Sequence, residues 1–171
     1  MWLVYLFLCI VLSGMFLTIY AAISDYQIFK IPNWISLALL LLYPAAVLTS
    51  PTEVDWIYGV IVGGGVLVVG FGIFAFGGLG GGDVKLLVAL SVWAGVKLLA
   101  PFLFAVVITG GFLVVFILIR ESRRNPKSNG TILENIRSSI LSRTPVPYGV
   151  AIAAGSVVIF FHYATQASVF G

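Results

Sequence analysis

The sequence predicts an all-α fold: a polytopic membrane helix bundle of about six transmembrane helices, N-terminus out and C-terminus out. Three observations predict it. The 171-residue chain is 61% hydrophobic and 9% charged, with a mean hydropathy of +1.15, whereas soluble chains are roughly 45–50% apolar and about a quarter charged. The apolar residues gather into runs that match the roughly 20 helical residues needed to cross a hydrocarbon core of about 30 Å. The cations fall almost entirely in alternate connecting loops. Helices are the expected form because lipid offers no partner for a backbone amide, so each span must satisfy its own.

The spans are expected at approximately 2–23, 34–50, 56–77, 84–98, 101–119 and 147–165. The first lacks a basic leader and is too long for a cleaved signal sequence, so it should remain as a membrane helix. It contains Cys9, the single cysteine of the chain, which excludes an internal disulfide, a cysteine-based zinc site and a CxxC pair. The second span follows Pro32 and Asn33, a turn and helix start, proline being favoured at a first helical position. The third carries Gly59, Gly63, Gly64, Gly65, Gly70 and Gly72; its Gly59-x-x-x-Gly63 spacing lets helix backbones approach closely. The fourth is short and meets the fifth near Lys97 and Pro101.

The whole chain, 1–171, reads as one membrane domain with a cytoplasmic loop at about 120–146. Asn125-Pro126 and Ser128-Asn129-Gly130 favour turns there. Thr131-Ile132-Leu133-Glu134 reads as a capping box opening an interfacial helix, 131–142. Its Ile132, Ile136 and Ile140 would lie among lipid headgroups, with Arg137 and Arg143 against anionic lipid.

Charge sets the orientation. With the N-terminus outside, the cytoplasmic loops hold Lys30, Lys85, Arg120, Arg123, Arg124, Lys127, Arg137 and Arg143, eight of the nine cations. The other face holds Lys97 with Glu53 and Asp55. The net charge of +3 therefore reports membrane topology; scattered among apolar runs, it makes no groove for nucleic acid. His162 has no second histidine or cysteine near it in sequence, so neither a metal nor a cofactor is expected.

Of the six acids, Glu53, Asp55, Glu121 and Glu134 fall in loops, as solvated charges do. Asp25 follows the first span and Asp83 opens the fourth, in Gly80-Gly81-Gly82-Asp83-Val84-Lys85. The topology puts both on the cytoplasmic edge. Asp25 could simply end a span and Asp83 could cap a helix. The three glycines before Asp83, however, leave bare backbone that an extended peptide could approach. Two close carboxylates share a proton and their apparent pKa values split. The ionised member can then take a proton from water while the protonated member polarises a peptide carbonyl. Lys85 is either a modulator of a nearby carboxylate or a snorkelling anchor.

Three motifs carry a resemblance: Asp25 followed after five residues by Ile31-Pro32-Asn33; Gly80-Gly81-Gly82-Asp83-Val84-Lys85-Leu86; and Pro147-Tyr148-Gly149 at the start of the last span. On these the chain resembles the prepilin peptidase family of GxGD membrane aspartic proteases, and most closely its compact tight-adherence, or Flp, pilus members. The resemblance implies that Asp25 and Asp83 are the catalytic pair, supported by Gly80, Gly82, Lys85, Pro32 and Asn33. It implies a multi-pass protein of the cytoplasmic (inner) membrane with its active site facing the cytoplasm. The substrate would be a type IV or Flp prepilin-like precursor, cleaved after a glycine behind a short basic leader. Larger bifunctional members add a segment with paired cysteines and also methylate the new N-terminus; with one cysteine, this chain is expected to lack that N-methyltransferase activity. An archaeal-type preflagellin peptidase is an alternative within the same chemistry. A small ion-coupled transporter subunit is one from another class, and predicts carboxylates at the bilayer midplane. A purely structural secretion-apparatus subunit would explain the glycines but not the paired motifs.

Overall fold

In the computed structural model, which describes residues 2–124 and 146–170, the chain is helical with short connections and contains no strand among the described residues. Its helices in order are α1 (Trp2–Ile28), α2 (Asn33–Thr49), α3 (Trp56–Ala75), α4 (Gly81–Arg124) and α5 (Tyr148–Phe170). Helices α1, α3, α5 and the stretch Gly81–Arg120 of α4 are long and apolar enough to cross a membrane; α2 is shorter. The bundle surface agrees with lipid as solvent: Trp2, Leu48, Val68, Phe112 and many other large apolar side chains point outward. The expected interfacial helix 131–142, and the loop around it from 125 to 145, lie outside the described residues.

Helix α4 is a hairpin. Inside it Gly95 takes φ 56 and ψ −164, a left-handed backbone that glycine adopts without the Cβ clash other residues suffer. Before Gly95, the chain climbs alongside α5: Trp93 packs on Phe160 and Tyr163, with ring centroids 5.5 and 5.9 Å away. After it the chain descends: Phe102 and Val106 lie against Gly155, and Gly110 faces Ala151. The two arms therefore run in opposite directions, giving six crossing segments in all. The break between the fourth and fifth spans sits at Gly95 rather than at Lys97 and Pro101, and Pro101 lies inside the second arm. A glycine able to take the left-handed conformation, not the proline, sets the reversal.

Other contacts fix the directions of the remaining helices. Along α1 and α5, Phe7 meets Tyr163 at 6.0 Å, the Ser156 hydroxyl donates to Thr18 Oγ1 at 3.3 Å and Gly149 meets Asp25, so these two helices are antiparallel. Helix α2 runs parallel to the first arm of α4, joined to it near Asn33 by Lys85 and near Leu39 by Trp93. Both chain ends consequently lie at the end of the bundle opposite the aspartates. Helix α3 packs chiefly against the first arm of α4. Gly59 lies against Tyr43 and the Val92 carbonyl, Gly63 against the Val92 side chain and Gly70 against Val84, the close approach that the Gly59–Gly63 spacing predicts.

Trp93 is the keystone of the far end. It is 1% exposed, its indole N–H donates to the Leu39 carbonyl at 2.9 Å and its own carbonyl accepts from the Tyr163 hydroxyl at 2.9 Å. Trp93→Ala should therefore leave a large cavity and cost about 3–5 kcal/mol. A clear fall in the midpoint of thermal unfolding in detergent would record it; an unchanged midpoint would show that the three-helix contact at Trp93 is dispensable.

Candidate active site

Asp25 lies one turn before the end of α1, inside the helix rather than beyond it, because α1 continues past the expected boundary to Ile28. The helix then stops at Phe29, whose φ of 51 is uncommon for a bulky residue and marks local strain. Two hydrogen bonds hold this corner: Phe29 N–H donates to the Asp25 carbonyl at 2.9 Å, and Ser24 Oγ donates to the Lys30 carbonyl at 2.7 Å. The strained corner turns Ile31 back under the bundle. Pro32, extended at φ −60 and ψ 132, is the residue before α2, and Asn33 is its first helical residue.

Asp83 stands in the first turn of α4. Its Oδ2 reaches back to accept the Gly80 N–H at 3.2 Å, the reciprocal half of a capping box. Its Oδ1 is buried and has no hydrogen-bond partner among the described residues. A buried carboxylate oxygen left without a donor is costly unless something else, such as a proton or water, meets it.

Asp25 is 5% exposed, and its Oδ2 accepts the Gly149 N–H at 2.7 Å. Gly149 is the second residue of α5, where backbone N–H groups have no partner within their own helix and the helix dipole favours an anion. The sequence motif Pro147-Tyr148-Gly149 thus reaches the site through its backbone. A Cβ on Gly149 would stand 2.9 Å from Asp25 Oδ2, 3.0 Å from Asp25 Cβ and 2.8 Å from Ile31 Cδ1. Gly82, beside Asp83, abuts the same Ile31: a Cβ there would stand 3.2 Å from Ile31 Cβ. Ile31 thus packs against both Gly149, the donor to Asp25, and Gly82, the neighbour of Asp83.

Asp25 and Asp83 line one cavity of about 320 Å³, together with Phe29, Lys30, Asn33 and the three glycines. All of the sequence candidates except Pro32 and Lys85 contribute to its wall. Lys85 sits alongside, its Nζ donating to Asn33 Oδ1 at 2.9 Å. Its partner is an amide, so its immediate role is to orient Asn33. If that pair acts as a unit, Lys85→Met and Asn33→Ala should each slow the reaction a few-fold, and the double variant should be no slower than either. Additive losses would show that the two act separately.

Phe29, Ile31 and Gly149 were not among the sequence candidates. Phe29 has no sequence signature for its left-handed turn, and Gly149 contributes a main-chain donor that any residue type carries. The signals for Ile31 and Gly149 are the motifs Ile31-Pro32-Asn33 and Pro147-Tyr148-Gly149 that contain them, and for Gly149 also its place at the start of a span, where free N–H groups collect.

A sequence profile of the type IV leader peptidase family matches residues 12–115, a stretch that includes both aspartates. The chain is also 30% identical over 149 residues to a prepilin leader peptidase/N-methyltransferase of Bacillus subtilis (strain 168), an alignment covering 85% of this chain and 52% of that protein. The chain spans about half the length of that curated relative. No solved structure matches.

Proposed function

Because this chain belongs to the type IV leader peptidase family, we propose that it is a membrane-embedded aspartic endopeptidase that removes the leader from prepilin-like precursors, with Asp25 and Asp83 as its catalytic pair. The observation that carries this reading is that the two acids, far apart in sequence, line one cavity at one end of the bundle. A transporter would need carboxylates along a path through the bilayer, and these two share an end instead.

In the proposed reaction the pair holds one proton between two carboxyl groups. The ionised carboxylate takes a proton from water as the water attacks the scissile carbonyl, and the protonated one donates to the carbonyl oxygen. The proton taken from water then passes to the leaving amine as the C–N bond breaks, and one hydroxyl of the tetrahedral intermediate returns its proton to the other carboxylate, which restores the pair. Asp83 Oδ1, buried and without a hydrogen bond among the described residues, is an oxygen that the shared proton would satisfy. The Gly149 N–H holds Asp25 in place during this exchange. Since one acid and one base are both required, the rate of cleavage should follow a bell-shaped pH profile. A profile flat on its acidic side would remove the need for an ionised carboxylate.

The substrate is proposed to be a type IV or Flp-type precursor, approached from the cytoplasmic side of the inner membrane. Lys30 and Lys85 stand at the aspartate end and Lys97 at the other, which is the distribution that positive-inside topology favours. We read the activity as leader removal alone, without N-methylation, since the paired-cysteine segment of bifunctional members has no counterpart in a chain with one cysteine. The mature product should then carry an unmodified N-terminus. Mass spectrometry of that product decides it, because a methyl group adds about 14 Da. The experiment that tests the reading as a whole is incubation of membranes containing the protein with candidate precursors, read as the shift to mature length.

A further inference from the structure

A second cavity, of about 330 Å³, opens at the far end of the bundle from the aspartates. Tyr163 in this cavity is 14 positions along α5 from Gly149 at the active site, or about 20 Å of helix, which puts it near the opposite membrane interface. The bend at Gly95 forms part of its wall, consistent with non-helical backbone being tolerated in a membrane where it borders a cavity.

Its lining is of three kinds. Glu53 and Asp55 supply carboxylates, Lys97 supplies an ammonium and the exposed Tyr58 supplies an aromatic ring, while the buried Trp93 and Tyr163 form the floor. The Glu53, Asp55 and Lys97 side chains are all exposed at the rim. The remaining polar wall is already tied together: Thr52 Oγ1 donates to Gln166 Oε1 at 3.3 Å, and Gln166 Nε2 lies 3.1 Å from His162 Nε2. Among the described residues no set of three His, Cys, Asp or Glu side chains converges as a metal site. Charges of both signs around aromatic rings match a ligand that itself carries both signs, since a cation gains from carboxylates and from ring faces while an anion gains from the lysine. Large apolar side chains next to the rim, Trp56, Ile57 and Val96, are exposed and offer a path for acyl chains.

We propose that this cavity binds the headgroup of a zwitterionic glycerophospholipid, with its ammonium toward Glu53, Asp55 and the Tyr58 ring and its phosphate toward Lys97. The lipid is held at the face opposite the catalytic pair. The site is independent of the peptidase reading, so its test reads binding and not cleavage.

The full-length protein is extracted from nanodiscs of equimolar phosphatidylethanolamine and phosphatidylglycerol, and the lipid retained per protein is measured by native mass spectrometry. Phosphatidylethanolamine should be retained over phosphatidylglycerol by roughly tenfold. The double variant Glu53→Gln/Asp55→Asn should lose that preference while Glu53→Asp/Asp55→Glu keeps it, and Lys97→Gln, which removes the partner of the phosphate common to both lipids, should lower total lipid retention and leave the preference in place. All these side chains are at the surface, and an unchanged thermal midpoint confirms that each variant folds. Equal retention of the two lipids by the wild type, a preference that survives Glu53→Gln/Asp55→Asn, or total retention unchanged in Lys97→Gln overturns the proposal. Displacement of the lipid by millimolar soluble phosphoethanolamine also overturns it, by assigning the site to a small soluble zwitterion.

Discussion

Replacing Asp83 with asparagine should lower the rate of precursor cleavage by about 10²–10⁴-fold, the range expected for loss of a general acid or base, with Asp25→Asn falling in the same range. Asparagine keeps the size of each side chain. At position 83 it can still accept the Gly80 N–H through its amide oxygen, and at position 25 it can still accept the Gly149 N–H. The local fold should therefore survive, and the loss should appear in the chemical step while precursor binding is retained. Pull-down of uncleaved precursor with each variant, beside the cleavage assay, separates these effects. A variant that binds precursor and cleaves it at the wild-type rate would remove that residue from the mechanism.

The second large effect is expected from a residue with no side chain. Gly149→Ala retains the backbone N–H that Asp25 accepts, but its methyl group would press on Asp25 Oδ2 at 2.9 Å and on Ile31 Cδ1 at 2.8 Å. Those distances are shorter than van der Waals contact; the Ile31 Cδ1 methyl can rotate aside, but Asp25 is met at its Cβ as well, at 3.0 Å, so the Asp25 side chain or the corner beside it must move. The corner is already committed by the left-handed Phe29 and the Ser24 to Lys30 hydrogen bond. The carboxylate should give way, and a displacement near 1 Å from reacting groups can cost about 10²-fold in rate. Gly149→Ala should accordingly approach the aspartate variants in activity while keeping most of its thermal stability. Full activity in Gly149→Ala would mean that Asp25 tolerates a shift of its only observed donor, and that Gly149 is a packing residue alone.

Much of the architecture was legible because lipid constrains so strongly what a chain can do. The six crossing segments follow from apolar runs of spanning length, and the partition of Lys30 and Lys85 to one end and Lys97, Glu53 and Asp55 to the other follows from charge alone. What charge and hydropathy could not locate was the turn inside α4. Pro101 is the conspicuous helix breaker in that stretch, yet the reversal needs a left-handed residue, and Gly95 provides it without any change in hydropathy to mark it. The glycines before Asp83 read from sequence as open backbone for a substrate. In the structure Gly80 also caps through Asp83 and Gly82 packs on Ile31, so tight packing explains part of what substrate access alone had been asked to explain.

The candidate pair itself was legible for a simple physical reason: a chain with so few charges has little use for acids near the membrane edge. Asp25 and Asp83 stand out against Glu53 and Asp55, which sit at the opposite end beside Lys97. Gly80, Ile31 and Gly149 stand in the sequence motifs, but the contacts by which they hold the pair are not legible there, because these are main-chain N–H groups of Gly80 and Gly149 and the aliphatic surface of Ile31. Such contacts depend on which helix ends the fold brings together, and only the antiparallel packing of α1 and α5 brings Gly149 to Asp25.

The central claim is that Asp25 and Asp83 work as one unit on a peptide bond, and its most direct test is a matched set of initial cleavage rates. Wild type, Asp25→Asn, Asp83→Asn and the double variant are compared in membranes on a single prepilin precursor. Residues that act as a unit are strongly non-additive, so the account predicts that each single variant loses about 10²-fold or more and that the double variant is no slower than the singles. Near-wild-type cleavage by either single variant, or a double variant whose loss is the product of two independent losses, would contradict it.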